Sequence, residues 1–218
     1  MKNQVISFLQ EKGGAGKTTD LILVATHMKK DGAKIAMIDT DQRKNLLRFC
    51  KKEKTDFDYQ FVDDENLIKP TIKALKARGY DAIFIDTEGY KSTLSTYVIA
   101  NSDLVFIPCK ADESNAICAI RTFKNIETVC DNFEKEIPTY VLMSDIDPVT
   151  NITQVVKKSI AEQGIPMLKS IVGHATGFKE MLTTGVAPKT GAAKKYIESV
   201  MCELQMKNLI KFYDKEVV

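Results

Sequence analysis

The chain has 218 residues, 44% of them apolar, so it can bury a full core, and its length suits one domain spanning 1–218. A formal net charge of +2 excludes a bulk polycation, so any nucleic-acid binding must come from a local patch. No apolar run approaches the ~20 residues of a membrane span and no signal-peptide pattern opens the chain, so a cytoplasmic protein without a membrane partner is expected. The five cysteines are widely spaced with no C-x-x-C pair, which reads as small core residues in a reducing compartment.

An apolar run, Val5 to Leu9, leads into Glu11-Lys12-Gly13-Gly14-Ala15-Gly16-Lys17-Thr18-Thr19 and then into a helical pattern from Leu21 to Met28. Strand, glycine loop and helix in that order make a phosphate-binding loop. Residues without Cβ let backbone N–H groups curl around an anion, and the helix behind points its positive dipole end at the same charge. Lys17 adds a cation toward the outer phosphates, and the Thr18 hydroxyl is placed to ligate Mg²⁺. The plain alternative is a glycine-rich turn with two solvated lysines. Glu11 stands where the strict motif has its first glycine.

The run Lys12 to Thr19 resembles the deviant Walker A loop of the ParA/MinD ATPases, a SIMIBI-like branch of the P-loop NTPases. The resemblance implies ATP as the nucleotide, cradled by Gly13, Gly14, Ala15, Gly16, Lys17, Thr18 and Thr19. It also implies a homodimer in the ATP state, in which Lys12 reaches across to the phosphates held by the other subunit.

Downstream, Lys34–Asp39, Ala82–Asp86, Leu104–Pro108, Thr139–Met143 and a weaker segment at Leu168–Val172 are nearly continuous apolar runs, the pattern of strands buried on both faces. Their alternation with helical segments predicts a single α/β domain, a doubly wound, mostly parallel sheet flanked by helices. The second strand ends in Asp39-Thr40-Asp41-Gln42, two carboxylates at the edge where such sheets bind ligands. By resemblance Asp39 supports the metal shell and Asp41 orients the attacking water; otherwise the pair caps a strand-end turn. Leu46, Leu47 and Phe49 suit a helix, Phe57, Tyr59 and Phe61 alternate like an edge strand, Lys51-Lys52-Glu53-Lys54 is a solvated face, and a helix covers about Leu67 to Ala77.

Asp81 to Asp86 followed by Thr87-Glu88-Gly89 has the Walker B form, with Asp86 accepting from Mg²⁺-bound water and Gly89 near the γ-phosphate. Glu88 is either exposed or part of that turn. Asp112 caps the helix through Ile117 and Val129, while Cys109, His27 and His174 read as structural or loop residues rather than catalytic ones. Ser144-Asp145 brings no base-reading asparagine or arginine, so adenine follows from the family and not from the residues.

Gly191-Ala192-Ala193-Lys194 and the compact length look like the small plasmid partition ATPases. Val5 starts the sheet at once, so no helix-turn-helix extension and no operator binding are expected. Lys157, Lys158, Lys169, Lys179, Lys189, Lys194 and Lys195 either form a face that grips phosphates or are scattered solvated charges. The closing Lys211 to Glu216 mixes signs, unlike a basic, apolar membrane anchor.

The function expected is a Mg²⁺-dependent, nucleoid-associated ATPase that dimerises around ATP and binds DNA non-specifically. Hydrolysis, stimulated by a centromere-binding ParB-type partner, would drive partition. The alternatives are a MinD-like positioning ATPase, a dethiobiotin synthetase-like biosynthetic enzyme, and a nucleotide switch that barely hydrolyses.

Overall fold

A computed structural model describes residues 3–52, 55–89 and 92–210. Among the described residues the six apolar runs and the Phe57–Phe61 alternation become seven strands: β1 (Gln4–Phe8), β2 (Ile35–Asp39), β3 (Asp58–Phe61), β4 (Ala82–Asp86), β5 (Leu104–Cys109), β6 (Thr139–Ile146) and β7 (Met167–Gly173). They form one sheet in the order β3-β2-β4-β1-β5-β6-β7, and every pairing is parallel. In β1, β2, β4 and β5 every residue is buried, as continuous apolar strands covered on both faces must be.

Helices cover both faces. On one lie α1 (Lys17–Lys30), α2 (Asn45–Cys50), α7 (Thr176–Thr184) and α8 (Gly191–Met206), joined in one apolar core through Leu21, Phe49, Phe178 and Val200. On the other, α3 (Glu65–Ala77), α4 (Thr93–Ala100), α5 (Glu113–Asn132) and α6 (Asn151–Glu162) pack through Ile72, Ile99, Ile126 and Val156.

One of these helices, α4, carries no pattern that announces it. The eight residues of α4 are too few to establish a period, and what sets its start is a reciprocal capping box between Ser92 and Ser95. The Phe57–Phe61 alternation does mark an edge strand, since β3 closes one side of the sheet. Helix α8 stops at Met206, and Leu209 N–H returns to Leu204 O. Glu53, Lys54 and Lys211 to Glu216 lie outside the described residues.

The order places β1 in the middle, with β4 on one side and β5 on the other. The connection after β1 runs through α1 toward β2 on one side and that after the neighbouring β5 runs through α5 toward β6 on the other, which opens a crevice at the carboxyl ends of the strands, and the loop after β1 lies in it.

Candidate functional site

The glycine loop runs from the end of β1 to Gly16, which precedes the first turn of α1 with φ +110°. Only glycine takes that backbone comfortably. A Cβ here would also stand 2.6 Å from Ser144 Oγ. The loop and the first turn of α1, Gly13 to Thr19, form one wall of a cavity of about 670 Å³. The opposite walls bring Asp41 and Arg43 from after β2, Glu88 and Gly89 from after β4, Lys110 from after β5, Asp145 from β6 and His174 from after β7. All lie at the carboxyl edge of the sheet.

Lys17 Nζ donates to the Gln10 carbonyl at 3.1 Å and to the Lys12 carbonyl at 3.4 Å. Burial lowers its pKa, an effect opposed by the nearby carboxylates of Asp86 and Asp41. Thr18 Oγ1 donates to Asp86 Oδ2 at 2.6 Å. Asp86 is fully buried and its other oxygen, Oδ1, has no hydrogen-bond partner among the described residues. Burial raises its carboxyl to about 7, helped by the charge of Asp39 on the adjacent strand, where the two aspartates are paired in register. A buried carboxylate with an idle oxygen beside a threonine hydroxyl is a donor set for a hard cation that keeps most of its waters, and Mg²⁺ fits it.

Asp39 is differently employed. Its Oδ1 accepts from Asp41 N–H at 3.0 Å and its Oδ2 from Leu47 N–H at 2.9 Å, so it closes the turn after β2. That turn carries Asp41 to the cavity, with Asp41 Oδ1 accepting Arg43 N–H at 2.8 Å. Gln42 reaches away to Asp63 at 3.3 Å. Lys12 is not among the cavity-lining residues, and its side chain is 35% exposed. The sequence-derived residues thus gather around the loop, with Lys12 outside the cavity and Asp39 behind Asp41.

Three sets of contacts at the site go beyond what the sequence reading of these residues gave. Gly89 packs on the loop itself, since a Cβ there would stand 2.9 Å from Gly13 N. Asp145 Oδ2 accepts from Lys110 at 2.8 Å and its Oδ1 meets His174 Nδ1 at 2.7 Å, which joins the ends of three strands on the far wall. Ser144 Oγ donates to Asp20 Oδ1 at 2.9 Å, and burial lifts the Asp20 carboxyl to about 8. A lone aspartate among apolar residues in the first turns of α1 was the available signal for the last.

His27 pairs with Asp31 within α1 and its neighbour, and burial pushes the Cys109 thiol up to about 12, so neither is poised for chemistry. Five of the seven lysines of the last third divide between layers. Lys157 and Lys158 ride on α6, whereas Lys179, Lys194 and Lys195 ride on α7 and α8 across the sheet. No helix among the described residues is long and apolar enough to cross a membrane.

A sequence model of the VirC1 protein family matches residues 3–203. The VirC1 protein of Rhizobium radiobacter is 26% identical over 190 residues, 84% of this chain and 82% of that protein. Protein ParA of the same organism is 23% identical over 185 residues, 83% of each. Among solved structures, a plasmid partition protein of Borrelia burgdorferi B31 bound to AMPPNP matches with a TM-score of 0.73 at 14% identity, covering 94% of this chain and 99% of that one.

Proposed function

The chain belongs to the VirC1 family, a ParA/MinD-like group of ATPases related to plasmid partition proteins, and from that footing we propose that it is a Mg²⁺-dependent ATPase that dimerises around ATP, binds DNA without reading sequence, and lets go on hydrolysis. The observation that carries this reading is the placement of the two loop lysines. Lys17 is buried at the cavity wall, while Lys12 stands outside the cavity that its own loop forms. A cation so placed serves phosphates held by a second copy of the chain better than its own.

In this reading the backbone N–H groups of Gly13 to Thr19 and the Lys17 ammonium bind the phosphate chain. Thr18 and Asp86 would hold Mg²⁺, with Asp39 acting through its charge and through the turn it closes. The metal, when bound, neutralises charge that develops on the phosphate oxygens. Asp41 faces the cavity from a turn fixed by two hydrogen bonds and orients the water that attacks the γ-phosphate. Lys12 of the second protomer adds a cation that water does not screen once the interface closes. A partner protein of the centromere-binding ParB type would stimulate the step, and the setting would be the nucleoid.

The test is solution mass by light scattering with ADP and with AMPPNP, both with Mg²⁺, on wild type and Lys12→Ala, with retention of plasmid DNA read on the same samples. The expected result is a dimer that holds DNA only for wild type with AMPPNP. Mass and DNA retention that ignore the nucleotide would overturn the reading.

A further inference from the structure

Lys12 is not free. Its Nζ donates to Asp112 Oδ1 at 3.2 Å, across 100 residues of sequence. Asp112 is itself anchored, because it caps α5: its Oδ1 accepts Asn115 N–H at 2.9 Å and its Oδ2 accepts from Asn115 Nδ2 at 2.5 Å. The chain just before Lys12 is bound to the same helix. Gln10 Nε2 donates to the Pro108 and Asn115 carbonyls at 3.2 and 3.4 Å, and Thr122 Oγ1 receives Glu11 N–H at 3.2 Å. The opening of the phosphate loop and the start of α5 are therefore one rigid junction, and the Lys12 side chain is the part of it that can leave.

We propose that Asp112 is a positioning residue that docks Lys12 on its own subunit, so that dimerisation proceeds by exchange of the Asp112 carboxylate for phosphate oxygens held by the second protomer. This rests on the role given to Lys12 in the preceding section. The exchange is easy in the right direction. The two side chains are 35% and 48% exposed, so water screens the pair and it is weak. A triphosphate in a closing, drying interface presents more charge in a lower dielectric and wins. A weak dock sets a threshold: it keeps Lys12 from being drawn into pairing where phosphate is absent, and yields where it is present. The dock also connects to Lys17, whose Nζ donates to the carbonyl of Lys12 itself, so both loop lysines are held by protein atoms in the same state.

Asp112→Asn is the informative variant, because asparagine caps helices as well as aspartate while removing the charge; Asp112→Ser is a second variant that keeps a cap. Two readouts on the full chain are needed. The first is the rate at which an amine-acetylating reagent labels Lys12 in the ADP state, followed by mass spectrometry. The second is the dimer dissociation constant with AMPPNP and Mg²⁺. The expected result is several-fold faster labelling in both variants and dimerisation tighter by about three- to tenfold, since two such pairs are relinquished per dimer. In a Lys12→Ala background Asp112→Asn should change nothing.

Unchanged labelling would overturn the dock outright. Faster labelling with an unchanged or weaker dimer would overturn the threshold role and leave the nucleotide-bridged dimer standing. If neither wild type nor variants dimerise with AMPPNP, the bridged dimer itself fails and the role of Asp112 with it.

Discussion

At Gly89 the turn after β4 rests directly on the backbone of the phosphate loop. A methyl group there would meet Gly13 N at 2.9 Å and Glu11 O at 3.1 Å, and neither can swing aside as the end of a side chain could. Gly89→Ala is therefore expected to displace the loop and weaken binding of an ATP analogue at least tenfold, about 1.4 kcal/mol, by calorimetric titration. The thermal midpoint should move by only a few degrees, because the change lies at the rim of the core. Full affinity in this variant would show that the loop accommodates the methyl without cost. The loop itself was legible from its glycines and lysines. The packing of Gly89 was legible only as proximity to a phosphate, because an approach between residues 13 and 89 leaves no trace in local pattern.

Elements show the same division between what a period reveals and what only packing reveals. Strands β1, β2, β4 and β5 were readable because burial on both faces demands unbroken apolar runs. Helix α4 was not, because its start is set by two serines and its length is eight residues. The irregular pairing of β6 with β7 was hidden as well. Val141 pairs with Met167 and Met143 with Ile171, so β7 carries extra residues in a bulge, and its strand partner leaves N–H groups unserved. Glu203 on α8 supplies the missing acceptor, taking Lys169 N–H at 2.9 Å and Ser170 N–H at 2.6 Å. Burial pushes its carboxyl up, but those N–H groups outweigh it and hold the pKa below the ordinary 4.5. A folded-state pKa below the unfolded one means stability present above the unfolded value and lost as pH falls through the folded one. Glu203→Gln should accordingly cost about 1–2 kcal/mol in urea unfolding at pH 7, with the difference from wild type shrinking as pH falls below 4.5 and through the lowered folded value. A deficit that stays constant down to acid pH would mean that shape, not charge, is what Glu203 provides.

On the scale of the whole molecule, the lysines that look like one cluster in the sequence are parted by the sheet, with α6 on one layer and α7 and α8 on the other. A DNA duplex lying against one layer can use only one set. The α7–α8 side offers Lys179, Lys194 and Lys195, although Lys194 is drawn to Glu198 at 3.5 Å, while on α6 Lys158 is paired with Glu162 at 3.8 Å. Charge reversal of Lys195 should lower plasmid retention and flatten its dependence on salt by roughly one unit of slope for each phosphate no longer neutralised, whereas Lys158→Glu should leave both near wild type. Equal losses from both layers would place DNA across the sheet edge instead. The central position of β1 has a consequence of another kind, in the timing of synthesis. The first strand made pairs with residues 82–86 and 104–106, so it emerges with no partner and waits until about half the chain exists. At ~5–20 residues per second that wait is on the order of 5–20 s, during which an apolar strand and the loop attached to it stand unprotected. Even then its first residue is not settled, since Gln4 Nε2 donates to Leu209 O at 2.7 Å, 205 residues away. The phosphate loop thus gains its flanking strands only once residues 82–106 have been made, and a nascent chain cannot capture nucleotide before then.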